Sequence, residues 1–284
     1  MKISKLLVII LVLISAIVSG SEERKIQFQL KCDSSDNFTV KIEMHAKTTM
    51  AMLFMPEITT YMRFGVEQLN SVMPDKTEGR LVNETTVATA SLEYYLPGQP
   101  NQSLPDNVID DILWSSGLGG RNARITMKRD KQGGIFDLAG VPEKYQAYYR
   151  HDTIYYPEFP VKPGDTWNRQ FVQSLAVDPN QPPYDFDIKG TYTFNRLLNE
   201  EKEAEIAFKF ESVADYAMQN GKKIKVDVRL VRSGKMVVRV SDGWPISFKS
   251  HTDFDFIYSA NNFVKSSEDT SAVYTPLLTD AEKK

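Results

Sequence analysis

The methionines are the most unevenly placed residues that could do chemistry. Six of the ten lie between Met44 and Met73, among them Met50-Ala51-Met52-Leu53-Phe54-Met55. Thioethers at such spacing bind Cu(I) or Ag(I) in oxidising compartments. On a strand, however, Met50 and Met52 share a face while Met55 points away. Pliable apolar packing, as a plain core or as the lining of a lipophilic pocket, is the better account. The three histidines are His45, His151 and His251. His251, Asp253 and Asp255 share one strand face and could offer an imidazole and two carboxylates to a metal. The wet side of a half-buried strand gives the same pattern, so neither a metal nor a cofactor is expected. Tyr145, Tyr148, Tyr149, Tyr155 and Tyr156 could stack with Trp114 on a sugar or peptide, but tyrosines at the edge of a core are the favoured reading.

Nucleophilic and nucleotide chemistry find little support. There is no Gly-x-Ser-x-Gly, Ser-x-x-Lys, His-Glu-x-x-His or Cys-x-x-Cys. Gly117-Leu118-Gly119-Gly120 starts like a dinucleotide loop, but position 122 is Asn and a helix precedes it, where that motif needs a strand. A pair of glycosidase carboxylates drawn from distant strands stays open, with nothing to single one out among 37 acids. The chain is therefore expected not to be an enzyme, with a hydrolase as the third-ranked function. Cys32 is the only cysteine, which excludes an intramolecular disulfide. It shares the parity of Ile26, Phe28 and Leu30 and should face the core. Asn37, Asn83 and Asn101 each begin an Asn-x-Ser/Thr sequon, a signal of little weight.

The elements that must position these residues are strands. The first twenty residues read as a signal peptide: Lys2 and Lys5, an apolar run from Leu6 to Ile14, then Val18-Ser19-Gly20. That run is too short to span a bilayer, so export to the periplasm or the exterior is expected, with no transmembrane span after cleavage. Removing residues 1–20 takes the formal charge from −3 to −5. A mild negative balance without basic runs argues against nucleic acid as a partner. Beyond the signal, residues 21–275 are expected to form a single β-rich domain, with a polar tail at 276–284. Residues 145–163 either divide two lobes or cross over within one curved sheet, and the crossover is preferred.

Period-two alternation dominates. Ile26 to Leu30 and Phe38 to Met44 are expected to form a hairpin around the polar turn between them. Ala88, Ala90, Leu92, Tyr94 and Leu96 fall on one face of a later strand. From Ile246 to Tyr258, Phe248, Phe254, Phe256 and Tyr258 share one parity against Ser247, Lys249, His251, Asp253 and Asp255, which predicts an unusually long strand. Asn220-Gly221 has the chemistry of a tight hairpin turn, and Ser233-Gly234 and Asp242-Gly243 are read as two more turns. Val108, Ile109, Ile112 and Leu113 make one face of a helix from Asp106 to Trp114, closed by Gly117.

Pro163-Gly164 suits the centre of a type II turn, with Trp167 as a large buried anchor starting the next strand. The segment Phe159-Pro160-Val161-Lys162-Pro163-Gly164-Asp165-Thr166-Trp167, with Tyr192 to Glu211 and the Ser241-Asp242-Gly243-Trp244-Pro245 turn, resembles an exported bacterial family of unknown function. That family is marked by a Pro-x-x-Gly-Asp-x-Trp signature before a β meander. A looser likeness is to periplasmic lipoprotein carriers, whose open half-barrels hold acyl chains on a concave face under helices. The resemblance implies a fold and supplies no catalytic residues.

The expectation is a mainly β protein: a long-stranded antiparallel meander forming a curved sheet or open half-barrel with one amphipathic helix. Its leading function is non-enzymatic binding of an apolar or lipid-like ligand on the concave face. Met50, Met52, Met62, Phe208, Phe248, Phe254 and Phe256 are the candidate lining. The alternative is a structural or protein-interaction module of the cell envelope, with an envelope protein as partner.

Overall fold

A computed structural model describes residues 24–32, 35–51, 56–77, 79–99, 102–149, 153–175, 182–259 and 262–277. The predicted signal peptide, Met52, Met55 and His151 lie outside these. Long alternating segments become long strands: β1 (Asp36–Ala51), β2 (Ile58–Pro74) and β3 (Arg80–Tyr95), then the short β4 (Gln102–Ser103). After the helix α1 (Asp106–Ser115) come β5 (Arg124–Asp130), β6 (Ile135–Ala139) and a 3-10 helix at Glu143–Tyr149. The second half is β7 (Thr166–Leu175), β8 (Tyr184–Leu198), β9 (Glu203–Gln219), β10 (Lys222–Arg239), β11 (Pro245–Ser259) and β12 (Asn262–Pro276).

All strands belong to one antiparallel sheet in the order β6-β5-β3-β2-β1-β12-β11-β10-β9-β8-β7, with β4 appended to β3. The chain starts at the centre, meanders out to the β6 edge, crosses to the β7 edge through residues 140–165, and meanders back until β12 pairs with β1. No ladder joins β6 to β7 among the described residues, so the sheet is unclosed. It is nonetheless strongly curved. Ile125, Met127 and Arg129 of β5 line the same cavity as Arg232 and Met236 of β10, six strands away. A flat sheet with about 4.8 Å between strands would hold them roughly 29 Å apart.

Local chemistry explains most turns. Asn220 and Gly221 hold φ of 50° and 72°, as a two-residue hairpin between β9 and β10 requires. At Lys162–Asp165, the Asp165 amide donates to the Lys162 carbonyl at 3.0 Å with Gly164 at φ 92°, the type II turn read from the sequence. The helix α1 buries Ile109 and Leu113 and ends in a Schellman cap. Gly117 sits at φ 74° and donates to the Trp114 carbonyl, while Leu118 donates to Leu113.

Four local readings need correction. Ile26, Phe28 and Leu30 are buried as their parity predicts, but they form no hairpin with β1. Ile26 bridges Val161 instead, and Leu30 donates to the Lys131 carbonyl, so this segment plugs one end of the concave face. Ser233-Gly234 is no turn, because β10 runs straight through it. Glycine is needed there because a Cβ would lie 2.2 Å from the Lys249 carbonyl oxygen and 2.6 Å from the Phe208 ring. On β3 a bulge opposite Glu67/Gln68 switches parity at Ala88. Leu81, Asn83, Thr85 and Val87 face inward before it and Leu92 after it, while Ala88 is exposed. Finally, the 3-10 helix occupies a stretch for which no helix was predicted.

The largest core cluster is built mainly by β7–β11 and the plug, joined by Val72 of β2 and Leu81 of β3. Phe28 stacks on Tyr156 at 5.7 Å and meets Phe194 edge-on at 5.1 Å. Trp167 stacks on Tyr192 at 5.5 Å, and Phe208 on Phe248 at 5.3 Å. The Trp244 indole donates to the Lys31 carbonyl at 2.9 Å, fastening the plug to the start of β11. A second, smaller cluster puts Ile109 and Leu113 of α1 on Phe64, Val66, Val87 and Leu92. A third gathers Ile125, Val141, Tyr145 and Tyr149 beside Trp114.

Candidate functional site

The concave face is not packed shut. Under α1 lies a cavity of about 530 Å3. β1–β3 give it Ile42, Met44, Met62, Phe64 and Leu92, and β10–β11 give it Met236 and Phe248. Its roof is Ile112 and the Ser116–Leu118 cap of α1. A second cavity of about 300 Å3 is lined by Phe171, Leu175, Phe186, Phe210, Leu230 and Phe254. Both touch Thr153, Arg232, Ser266 and Glu268, so they adjoin near the middle of the sheet. These volumes fall in the range of about 300–1,000 Å3 usual for small-molecule sites.

The walls differ in chemistry. The smaller chamber sets Phe171, Leu175, Phe186, Ile188, Phe210, Leu230 and Phe254 against an equal number of polar side chains. The larger carries a polar wall on its β2–β3–β5 side: Gln68, Asn70, Asn83, Thr85 and Arg129, each at most 9% exposed. The Thr85 hydroxyl donates to Asn70 Oδ1 at 2.7 Å, and Gln68 Nε2 donates to the Leu118 carbonyl at 2.9 Å. Asn70 Nδ2 and Asn83 Oδ1 are buried without a hydrogen-bond partner. Across the cavity Arg232 Nε donates to Ser250 Oγ at 3.3 Å, and Thr270 donates to Glu268 at 2.6 Å. Tyr149 stands on the roof side, where burial pushes its hydroxyl well above the ordinary tyrosine pKa and keeps it neutral.

Among the seven candidate lining residues, Met62 and Phe248 lie on the larger cavity and Phe254 on the smaller. Phe208 and Phe256 are buried in the main cluster and line neither cavity. Met50, near the end of β1, is half buried and also away from both. Met52 lies outside the described residues. The polar wall was missed by sequence reasoning, yet it left a signal. On β2, Gln68 and Asn70 interrupt the inward series Met62, Phe64, Val66 and Val72, and Asn83 and Thr85 do the same on β3. The Asn83-Glu84-Thr85 sequon therefore points its asparagine into the interior.

The other chemical candidates resolve as surface or packing. His251 sits on the outer face, its Nδ1 2.8 Å from Asp269 and its Nε2 3.3 Å from Asp253. The hydrogen bond to Asp269 raises its pKa above the ordinary histidine value. Among the described residues no group of three or more His, Cys, Asp or Glu is placed to hold a metal. Met44 and Met62 pack against the Phe64 cluster. Tyr145, Tyr149 and Tyr156 are buried; Tyr145 stacks on Trp114 at 5.8 Å and donates to Asp111. The Cys32 thiol, half buried, packs against the main cluster.

No family model matches the chain, and no curated protein sequence matches it. The signature noted above also fits imperfectly, since Pro160 stands four positions before Gly164 where the family pattern has three. Among solved structures the chain is similar to one of lipid–protein interactions in lipovitellin, at 10% identity and a TM-score of 0.46. That match covers 90% of this chain and only 27% of the lipovitellin chain. The translocator domain of the autotransporter NalP from Neisseria meningitidis aligns at 9% identity, TM-score 0.33, over 86% of this chain and 90% of its own. An outer membrane channel from Pseudomonas putida F1 aligns at 8% identity, TM-score 0.31, over 91% and 98%. These likenesses carry no functional weight. No helix among the described residues is long and apolar enough to cross a membrane.

Proposed function

We propose that the protein is an exported, non-enzymatic binder of an apolar or lipid-like ligand, held on the concave face of the open sheet and roofed by α1. One observation carries the reading. The inward face, which alternation would pack shut, instead leaves two adjoining, partly open cavities of about 530 and 300 Å3 bordered by Met62, Phe64, Phe248 and Phe254. Desolvating an alkyl chain against such walls contributes about 0.8 kcal/mol per buried methylene. Residues 1–20 would direct the chain to the periplasm or the exterior, where a carrier for poorly soluble molecules has use.

The test is uptake of Nile red by the full mature chain and its displacement by added phospholipid or fatty acid. Ala46, 8% exposed on the floor of the larger cavity, offers a way to fill it. Uptake by the wild type, lost in Ala46→Phe with the circular dichroism unchanged, supports the reading. Absence of uptake by the folded wild type refutes it and leaves an interaction module of the envelope as the better account.

A further inference from the structure

Resting on that reading, we infer that the larger cavity selects a ligand whose polar head both donates and accepts hydrogen bonds, such as the amide or hydroxyl of a neutral amphiphile. The head would dock between Asn70 and Asn83. Both side chains are more than nine-tenths buried and both line the cavity. Asn70 offers an unpartnered donor, Nδ2, and Asn83 an unpartnered acceptor, Oδ1. Asn70 faces Thr85 across the β2–β3 ladder, and Asn83 sits diagonally beside it, opposite Val72. The Thr85 hydroxyl donates to Asn70 Oδ1, which fixes Nδ2 as the free end of that amide.

Leaving a buried amide group unpaired costs about 1–3 kcal/mol. Three neighbouring inward positions, Gln68, Asn70 and Asn83, carry amides beside the Thr85 hydroxyl on a face whose other inward residues include Phe64, Val66, Val72, Leu81 and Val87. Gln68 is committed to the Leu118 carbonyl, which leaves the asparagine pair to meet the ligand. A hydroxyl or amide head satisfies Nδ2 and Oδ1 together. A carboxylate only accepts, so it would set an anion against the Asn83 oxygen, and a hydrocarbon would leave both groups unpaired. Arg129 on the same wall donates from Nη2 towards Met127 Sδ at 3.6 Å, and Glu268 faces the cavity from the other side. The site is therefore mixed in charge, not a cationic pocket.

The experiment is displacement of Nile red from the full wild-type chain by four ligands with the same eighteen-carbon chain: oleamide, oleyl alcohol, oleate at pH 8 and octadecene. The inference expects oleamide and oleyl alcohol to bind roughly tenfold tighter than octadecene, about one good hydrogen bond, and tighter than oleate. Equal binding by all four, or oleate as the tightest, overturns the head-group assignment while the apolar site stands. Displacement by none overturns both. Asn83→Leu should shrink the oleamide preference over octadecene to within about twofold, and Asn70→Ala serves if that variant misfolds. A preference unchanged in the folded variants assigns the pair to ordered water and defeats the inference.

Discussion

The two halves of this sheet obey the same alternation and end differently. From β7 to β11 the inward positions are rings: Trp167, Phe186, Tyr192, Phe194, Phe208, Phe210, Phe254 and Phe256 interlock around Phe28 and Tyr156. From β1 to β5 the inward positions are mostly aliphatic or polar; Val72 and Leu81 join the main cluster, and the others form smaller clusters under α1, around Phe64, and beside Trp114. The lesson concerns volume more than hydrophobicity. A curved sheet whose concave face carries large rings fills more of its interior, leaving the smaller cavity of about 300 Å3. One that carries Ala46, Thr85, Asn83 and Met62 leaves room, and the helix above it becomes a roof over space.

The comparison can be broken by truncation, where the largest effect is expected. Phe194, fully buried, touches Phe28 edge-on, and Phe194→Ala should cost about 3–5 kcal/mol. Met62, half buried on the cavity, should cost about 1 kcal/mol as Met62→Ala. Urea unfolding of the two variants measures both. Equal losses would mean that the β1–β5 half is packed as tightly as the other.

Glycines sharpen the contrast at the next level. A Cβ at Gly234 meets backbone oxygen and a ring edge, and the Lys249 carbonyl cannot move without breaking the ladder. Gly234→Ala should therefore destabilise by about 1–3 kcal/mol. At Gly65 of β2 the nearest obstacle is the Ser91 hydroxyl at 3.0 Å, a side chain free to rotate. Gly65→Ala should stay within about 0.5 kcal/mol of wild type. Thermal melts of both variants decide, and a Gly65 effect as large as that of Gly234 would contradict the looser half.

Much of this was legible in the sequence, and the failures have common causes. The long β11, the turns at Asn220-Gly221 and Lys162–Asp165, and α1 with its Gly117 cap all follow from contacts within a few residues. Ser233-Gly234 misled because the reason for its glycine, the Phe208 ring, arrives from β9. The face of β3 misled because one extra residue in a bulge inverts parity, and nothing local marks it. The plug misled because Ile26, Phe28 and Leu30 alternate as a strand does while pairing with a loop 135 residues away in the case of Ile26 and Val161. For the candidate site, aromatic and methionine content pointed to the concave face, but the same content marked residues that are simply packed, Phe208 and Phe256. The polar positions that distinguish a cavity from a core were visible as breaks in the apolar series.

The smallest expected effect lies on the outer face and leaves both cavities alone. His251 is half exposed beside Asp269 and Asp253, with its pKa raised. A raised pKa in the folded state means that its contribution to stability is complete below about pH 6.5 and fades as pH climbs through the folded value. Solvent screening holds that contribution below about 1 kcal/mol. His251→Gln should therefore lower Tm at pH 5.5 by about 2–4 °C at most and leave it unchanged at pH 9. Loss of dye uptake in the same variant would mean that the outer face communicates with the cavity.

The central claim, that the space between the halves belongs to an apolar ligand, is tested most directly by native mass spectrometry of the mature protein purified from its own host, followed by solvent extraction. The account predicts a bound mass that extracts with lipid and is lost in Ala46→Phe. A clean apo mass, with no uptake when fatty acid, monoacylglycerol or phospholipid is added, would contradict it.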